Sequence, residues 1–408
     1  MNKPHKNDRA VDDSPEYLFL LPWLTKGGAD LGALHTANTL TDKFQKSVAV
    51  VTTEAIPSPW SARLAEQITF FELGMKLSEA PNFDRAVIKA LDSIISSLNP
   101  RIVHIMNSRH GWMWLRLLHE QGARSVYASL YCDEITRDGL IAGYPRWFLE
   151  STWQDLAQIV SDNNHYPQQW SDRYQIPYSK FCSVHFPILD LNEQKHLYRT
   201  EAAYDSKDRK LHVLWASRIS KQKRPELLAE IAMLMPDANF HVYGDPDSEI
   251  MKTGIMNRLA SIPNVFLKGS FNSILETVKE VPDCFLYTSE FDGTPNILLE
   301  ISQLSIPIVA PRVGGIDEFF PVEWPWAVSK RNSGTPSAYV TLLKKLASKM
   351  STAANDAEHL RCLVKTKHSH TSFQRDLQNI PGYINANVQS IGTEKTEFHG
   401  GTYDSASS

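Results

Sequence analysis

Cysteine is scarce in this 408-residue chain, and the four that occur (Cys132, Cys182, Cys284 and Cys362) lie far apart with no CxxC pair. That spacing excludes a disulfide scaffold and a clustered cysteine zinc site, leaving reduced, mostly buried thiols as the expectation. A long basic run is also missing. Lys and Arg total 42 against 46 Asp and Glu, a net charge of -4, so nucleic acid is not an expected partner. No uninterrupted run of about 18 apolar residues is present, and the opening MNKPHKNDRAVDDSP lacks the apolar centre of a secretory signal. The expectation is a cytoplasmic protein, with the inner face of the membrane as a variant of it. None of the 14 histidines forms HExxH or another close metal pattern, and GGADLG is neither GxGxxG nor a Walker loop. Metal catalysis, nicotinamide chemistry and ATP chemistry are therefore unsupported. No internal repeat is visible.

What is present is ordinary globular composition, 42% hydrophobic and 22% charged, over a length that exceeds one usual core and predicts two domains. The first apolar run, YLFLLPWL, is followed by the turn TKGGADL, the helical GALHTANTLTDKF and the strand SVAVVTT, which is a βαβ unit. RIVHIM, SVYASLY, AQIVSD and SKFCSVHF continue the series, as in a buried parallel sheet covered on both faces. The charged segment LNEQKHLYRTEAAYDSKDRK carries nothing that could fill a core. Beyond it a second series runs through LHVLWASRI, a helix from Arg224, NFHVYGD, IPNVFLKG, SILETVKEV, CFLYTS, a helix through ILLEISQL, and IPIVAP. The fold class read from this is α/β with two doubly wound Rossmann-like domains. The divisions are a disordered tail at 1–15, an N-terminal domain at 16–190, a linker at 191–210, a C-terminal domain at 211–365, a terminal helix at 366–387 and a second tail at 388–408.

Ligands of such sheets bind beyond the carboxyl ends of the strands, so the turns there carry the function. Residues 292–296 read as a turn entering a helix, whose free N–H groups and dipole attract a phosphate or a polar sugar. Asp292 can either cap that helix, worth about 1 kcal/mol, or accept sugar hydroxyls. Glu300, a little over two turns on, shares roughly its face and suits a ribose diol; its bland alternative is a solvated helix glutamate. Arg218 and Lys223 flank a loop after a strand, where two cations could neutralise a diphosphate or simply face water. Gly27 and Gly28 stand at the first strand-to-helix turn, either as a tight turn or as a close approach of backbone to ligand.

Taken together, SEFDGTPNILLEISQLSIPIVAPRVGGIDEF, LWASRISKQKRPELLAEI, VYGDPD, NVFLKGSF and YLFLLPWLTKGGAD resemble the retaining glycosyltransferases of family 4, the group-1 type with the GT-B fold. The similarity runs from about residue 17 to 385, strongest in the second half and thin between about 55 and 150. Asp292 and Glu300 match its two acids eight apart, Val313-Gly-Gly315 with Glu318 match its VGG turn, and Asp30 stands where Glu is commoner. The resemblance implies a nucleotide-diphosphate sugar donor, with Arg218 and Lys223 on the diphosphate, Glu300 on the ribose, and Asp292 with the following amides on the sugar. Gly27, Gly28, Gly244, Lys268, Gly293, Thr294, Asn296 and Ile297 complete the implied donor site. Asp245-Pro-Asp247 spells a DxD triplet, but its place at a nucleotide-side turn and the commonness of local capping leave the metal count at none, with no cofactor beyond the donor.

The acceptor side departs from the pattern. Where family members often carry a His, this chain reads Tyr131-Cys132-Asp133-Glu134, so Tyr131, Asp133 and Glu134, together with Asn107 and His110 after another strand, are acceptor candidates, and Asp133 is also a candidate for the chemistry. Plain turn or capping roles remain alternatives for them. Seven of the ten tryptophans fall before Ser171, and Trp112 and Trp114 could stack on a sugar or fill the core. The expected activity is metal-independent transfer to a hydroxyl of a glycan or lipid-linked glycan in polysaccharide biosynthesis, with retention and with a peripheral membrane contact as an added expectation. A sugar-nucleotide epimerase and a catalytically silent binding subunit of the same fold are the rival readings.

Overall fold

The computed structural model describes residues 14–118, 124–136, 138–188, 210–271, 273–274 and 282–385. The proposed linker, save Lys210, the last residues of the chain from 386, and most of the helix expected at SILETVKEV lie outside them.

Apolar runs become fully buried central strands, since a parallel sheet between two helical layers has no wet face. In the first sheet these are β1 (Tyr17–Leu21) and β2 (Val48–Thr52), then, after the partly exposed edge strand β3 (Thr69–Glu72), β4 (Ile102–Met106) and β5 (Ser125–Ser129), which is buried from its second residue on. A short antiparallel pair, β6 (Glu134–Ile135) and β7 (Ile141–Ala142), stands outside that sheet, which β8 (Leu156–Ser161) and β9 (Phe181–Ser183) complete. The seven strands are ordered β3-β2-β1-β4-β5-β8-β9, all parallel, with Tyr17 opposite both Val48 and Ile102. Chain order reverses between β1 and β4, so a crevice opens at their carboxyl ends. The second sheet holds β10 (Leu211–Ala216), β11 (Ala238–Tyr243), β12 (Val265–Gly269), β13 (Cys284–Leu286), β14 (Ile308–Pro311) and β15 (Ala327–Val328), in the order β12-β11-β10-β13-β14-β15.

Covering helices follow from spacing and caps. In Phe83–Leu98 the Asn82 side chain accepts the Arg85 N–H at 3.3 Å, and Asn99 ends the helix in the left-handed region at φ 43. Val87, Ile88, Leu91 and Ile95 then share its buried face. Trp112 and Trp114 are core residues, Trp112 stacked on Phe148 at 5.6 Å, so they offer no face to a sugar. Of the cysteines only Cys284 is fully buried and Cys362 is exposed, a correction to mostly buried thiols.

The end of the chain crosses back. The His370–Asn379 helix buries Phe373 and Leu377, with Ile380 just beyond, in one cluster with Phe19, Ala37 and Tyr127 of the N-terminal domain. Polar contacts tighten this seam. Arg101 donates to the carbonyls of Gly382 and Tyr383 at 2.9 and 2.7 Å, Tyr127 to that of Pro381 at 2.7 Å, and the Tyr17 hydroxyl also reaches the Tyr383 carbonyl. His104 lies buried between the Tyr383 hydroxyl and Ser129, and burial pushes its pKa down to about 3.

Candidate active site

The C-terminal wall of the cleft is two loops zipped together. Glu290 N–H donates to the Gln222 carbonyl at 2.8 Å, Gln222 Nε2 to the Phe291 carbonyl at 2.7 Å, and the Thr288 hydroxyl to the Lys223 carbonyl. This zip brings Lys223 to Asp292. Its ammonium donates to the Asp292 carboxylate and, at 2.6 Å, to the Tyr287 hydroxyl, which itself donates to Asp292 Oδ2 at 2.6 Å. The cap of the following helix, Asn296–Gln303, is Pro295, with no side chain bonded to it. Asp292 therefore serves the basic residue and not the helix end. Behind it the VGG turn closes: Gly315 N–H donates to the Asp292 carbonyl at 3.0 Å, and Gly314, at φ 57, would place a Cβ 2.4 Å from that oxygen.

Arg218 is exposed and makes no ion pair among the described residues, whereas neighbouring Arg224 pairs with Glu290 at 3.1 Å. Gly244, at φ 143, lies so close to the Ser217 carbonyl that a Cβ would sit 1.8 Å from its oxygen. Lys268 is exposed at the end of β12, its ammonium 5.8 Å from the Phe266 ring centre. Ile297 packs on the core, and Glu300 accepts the Ile274 N–H at 3.1 Å. Asp247 Oδ1 accepts the N–H groups of Glu249 and Ile250, the local cap expected of a turn carboxylate. Among the described residues no group of three or more His, Cys, Asp and Glu could hold a metal ion.

Across the cleft, Gly28 opens the Gly28–Asp42 helix, and Asn296 Nδ2 reaches its carbonyl at 3.4 Å. The first residues of two helices, each the positive end of its helix, thus meet. A Cβ at Gly27 would strike Asp30 Oδ2 at 2.4 Å, and Asp30 Oδ1 accepts the Thr25 N–H at 3.1 Å. Burial raises the Asp30 pKa to about 6, against the lowering effect of that bond. Lys26 places its ammonium 4.7 Å from the ring centre of Phe271 in the other domain.

The acceptor candidates are scattered. Asp133 is 4% exposed, its oxygens taken by Trp170 Nε1 at 2.8 Å and Arg173 Nη1 at 2.9 Å, a packing position inside its own domain. His110 is enclosed between Asp84, 3.0 Å from Nε2, and Glu54, 3.3 Å from Nδ1. Arg109 grips Asp84 as well and holds that carboxyl below its ordinary range. Asn107 holds φ 60 at the end of β4. Tyr131 packs on Phe186, and Glu134 begins the small hairpin, its carboxyl pushed up by burial. The Cys132 thiol is pushed well up by burial, with Asp292 and Asp162 adding to the shift and Lys223 opposing it.

Sequence reasoning passed over Asp162, Asn163 and Asn164. Asp162 Oδ2 accepts the Thr294 N–H at 2.9 Å, and the Asn164 N–H lies 3.0 Å from both oxygens of Glu318. The signal available was a polar SDNN turn directly after a buried strand. Burial raises the Asp162 pKa to about 7, bonds from Asn163 and Thr294 pull it back, and Asp292 adds to the rise.

The two sheets, their order and the cleft between them recur in solved structures. HepE of Anabaena in complex with UDP and glucose matches 88% of this chain and 98% of its own, with TM-score 0.64 at 12% identity. The fold is GT-B. A glycosyltransferase from Rickettsia africae matches with TM-score 0.66, 16% identity and coverage of 90% and 98%. Sucrose-phosphate synthase from Thermosynechococcus elongatus gives TM-score 0.67, 13% identity and coverage of 89% and 97%. The sequence matches no protein-family model and no curated protein. The GT-B cleft lies between the carboxyl ends of both sheets, where Lys223, Asp292 and the Gly27-Gly28 turn are found. No helix among the described residues is long and apolar enough to cross a membrane.

Proposed function

We propose that this chain is a glycosyltransferase that moves a sugar from a nucleotide-diphosphate donor to an acceptor hydroxyl with retention of anomeric configuration. The observation that carries the reading is the meeting of two helix N-termini at Gly28 and Asn296 beside Lys223 and Asp292. Aligned N–H groups and cations favour an anion, and a carboxylate and polar turn within the same space suit sugar hydroxyls.

In this mechanism Lys223 and Arg218 stabilise the departing diphosphate and Glu300 leaves Ile274 to hold the ribose. Gly244 and Lys268 border the nucleotide, and Ile297 packs beneath it. Asp292, with the Gly293 and Thr294 turn, orients the sugar and offsets positive charge developing at its anomeric carbon. The bond from that carbon to the β-phosphate oxygen breaks, a bond to the acceptor oxygen forms on the same face, and the hydroxyl proton passes to the leaving phosphate. No protein base is needed, and Asp133 takes no part. With two cations at the diphosphate the reaction runs without a metal. The acceptor is a glycan or lipid-linked glycan, the N-terminal wall around Asn107 and Glu134 being its side of the cleft.

The test is a thermal-shift screen of nucleotide sugars, beginning with UDP-glucose, followed by product analysis by NMR. A bound donor raises the melting temperature by linkage. Sugar appearing on an added hydroxyl acceptor with its anomeric configuration kept supports transfer. Donor isomerised without acceptor points to an epimerase, and binding without turnover to a silent subunit.

A further inference from the structure

Asp162 directly follows β8 in the N-terminal domain, yet its carboxylate lies on a turn of the other domain. Oδ2 accepts the Thr294 N–H at 2.9 Å, and the Thr294 hydroxyl donates to the Asp162 carbonyl at 2.8 Å. The fit is close: a Cβ on Gly293 would fall 2.6 and 2.8 Å from the two carboxylate oxygens and 3.0 Å from the Tyr131 carbonyl. Only glycine lets this backbone approach.

The carboxylate is itself held in place. Oδ1 accepts from Asn163 Nδ2 at 2.6 Å. Asn163 is locked in that orientation, because its Oδ1 accepts the Tyr166 N–H at 3.0 Å and its Nδ2 also donates to the Tyr131 carbonyl at 2.9 Å. Both Asp162 oxygens therefore act as acceptors in fixed directions, in a residue 6% exposed. Beside it, Asn164 donates through its N–H and, at 3.1 Å, its Nδ2 to Glu318 of the VGG turn. Among the described residues no cation pairs with Asp162; a buried carboxylate so placed is costly, and a second carboxylate, Asp292, adds to that cost. A simple contact between domains could be made more cheaply by apolar groups.

Resting on the transferase reading, we propose that Asp162 is a positioning residue for sugar transfer: carried by one domain, it sets the Gly293–Thr294 turn of the other, so that the sugar-binding turn takes its working shape only when the cleft is shut. Substrate need not touch Asp162. Its effect passes through the Thr294 amide, whose direction decides what the turn offers to the sugar.

The experiment compares wild type with Asp162→Ala, Asp162→Asn and Thr294→Val by UDP calorimetry, amide hydrogen exchange, and kcat and KM for donor turnover. We expect UDP affinity within threefold of wild type in all, since the nucleotide rests on the other wall. Asp162→Ala should raise exchange at 293–294 at least tenfold, with the cores of both sheets unchanged, and lower kcat about a hundredfold with donor KM within threefold. Asp162→Asn, which keeps one acceptor oxygen, should recover at least tenfold of the lost kcat, and Thr294→Val, which keeps the N–H, should lose less than tenfold. Wild-type exchange at 293–294 and wild-type kcat in Asp162→Ala would overturn the proposal, as would protection lost evenly over both domains. Should the Ala variant not fold, Asp162→Leu, which fills the space but accepts no hydrogen bond, is read in its place, and wild-type exchange at 293–294 with wild-type kcat in it would overturn the proposal equally. Failure of wild type to bind UDP or any nucleoside diphosphate would instead remove the transferase reading, while the exchange data would still show whether Asp162 holds the turn.

Discussion

The two walls of the cleft are built differently. On the C-terminal wall, Lys223, Tyr287 and Asp292 come from two loops that zip together, and Glu300 follows eight residues after Asp292 on the next helix. On the N-terminal wall, Glu54 after β2, Asp84 in the first turn of the Phe83–Leu98 helix and His110 after β4 meet from three separate segments, while Asp162 reaches across from a fourth. A wall made from a few short segments keeps its spacing in the sequence. A wall assembled from many loops has no spacing to keep, and each loop can change alone, which suits the side that must fit an acceptor.

The comparison breaks most easily at Lys223. Lys223→Ala should cost roughly a hundredfold to a thousandfold in transfer rate, the usual scale for one electrostatic group at a developing charge, with the fold retained by circular dichroism. A loss below tenfold would mean that the C-terminal wall is not where the charge develops.

Asp30 tests the one part of the N-terminal wall that the sequence displays. Its pKa stands at about 6 when folded, above the ordinary 3.8, so the folded protein binds the extra proton between those values. Stability linked to this carboxyl is therefore full below pH 4 and falls as pH rises through 6, by on the order of 3 kcal/mol. Asp30→Asn keeps an acceptor for the Thr25 N–H and should be more stable than wild type at pH 8 by up to that amount, with little difference at pH 4. Urea titrations at both values check it, and an equal difference at both would refute the linkage.

Glu300→Gln and Arg218→Ala should fold normally and weaken nucleotide-sugar binding roughly tenfold to a hundredfold, the worth of a charge-assisted hydrogen bond; calorimetry reads this directly. Glu134→Gln, at an exposed position, should leave UDP affinity unchanged and raise the acceptor KM about tenfold, the scale of one modest contact. If it weakens UDP binding instead, the division of labour between the walls fails. The smallest expected effect is none: transfer should persist in excess EDTA. Activity lost in EDTA and restored by Mn²⁺ would reopen the question of Asp245 and Asp247.

Legibility followed the same division. Buried strands were readable because a parallel sheet turns each one into a plain apolar run such as RIVHIM or IPIVAP, and two doubly wound domains followed; the GT-B class came from the resemblance of the motifs. Asp292 and Glu300 stood out through the match to the family's two acids eight apart; the coordinates put Asp292 in the turn before the Asn296–Gln303 helix and give it to Lys223 and not to the helix cap. Asp133 shows the limit. Its partners Trp170 and Arg173 lie 37 and 40 residues away, and nothing local distinguishes a carboxylate facing a cleft from one tied to a tryptophan. Asp162 was hidden for a related reason, since its partner Thr294 is 132 residues distant and the bond is to backbone, which leaves no mark on residue type.

The seam formed by Arg101, Tyr17 and Tyr383 has a mechanical consequence. Because the chain passes from one domain to the other near residues 188–210 and returns at 368–383, the halves are interlocked as well as linked. A single cut between 188 and 210 would sever the covalent path, yet the second fragment would still have its terminal helix embedded in the first, with Phe373, Leu377 and Ile380 in that core. The nicked protein should travel as one particle in gel filtration and separate only in denaturant. It should also be possible to express the two pieces apart and let them reassemble, the helix serving as a plug in its socket.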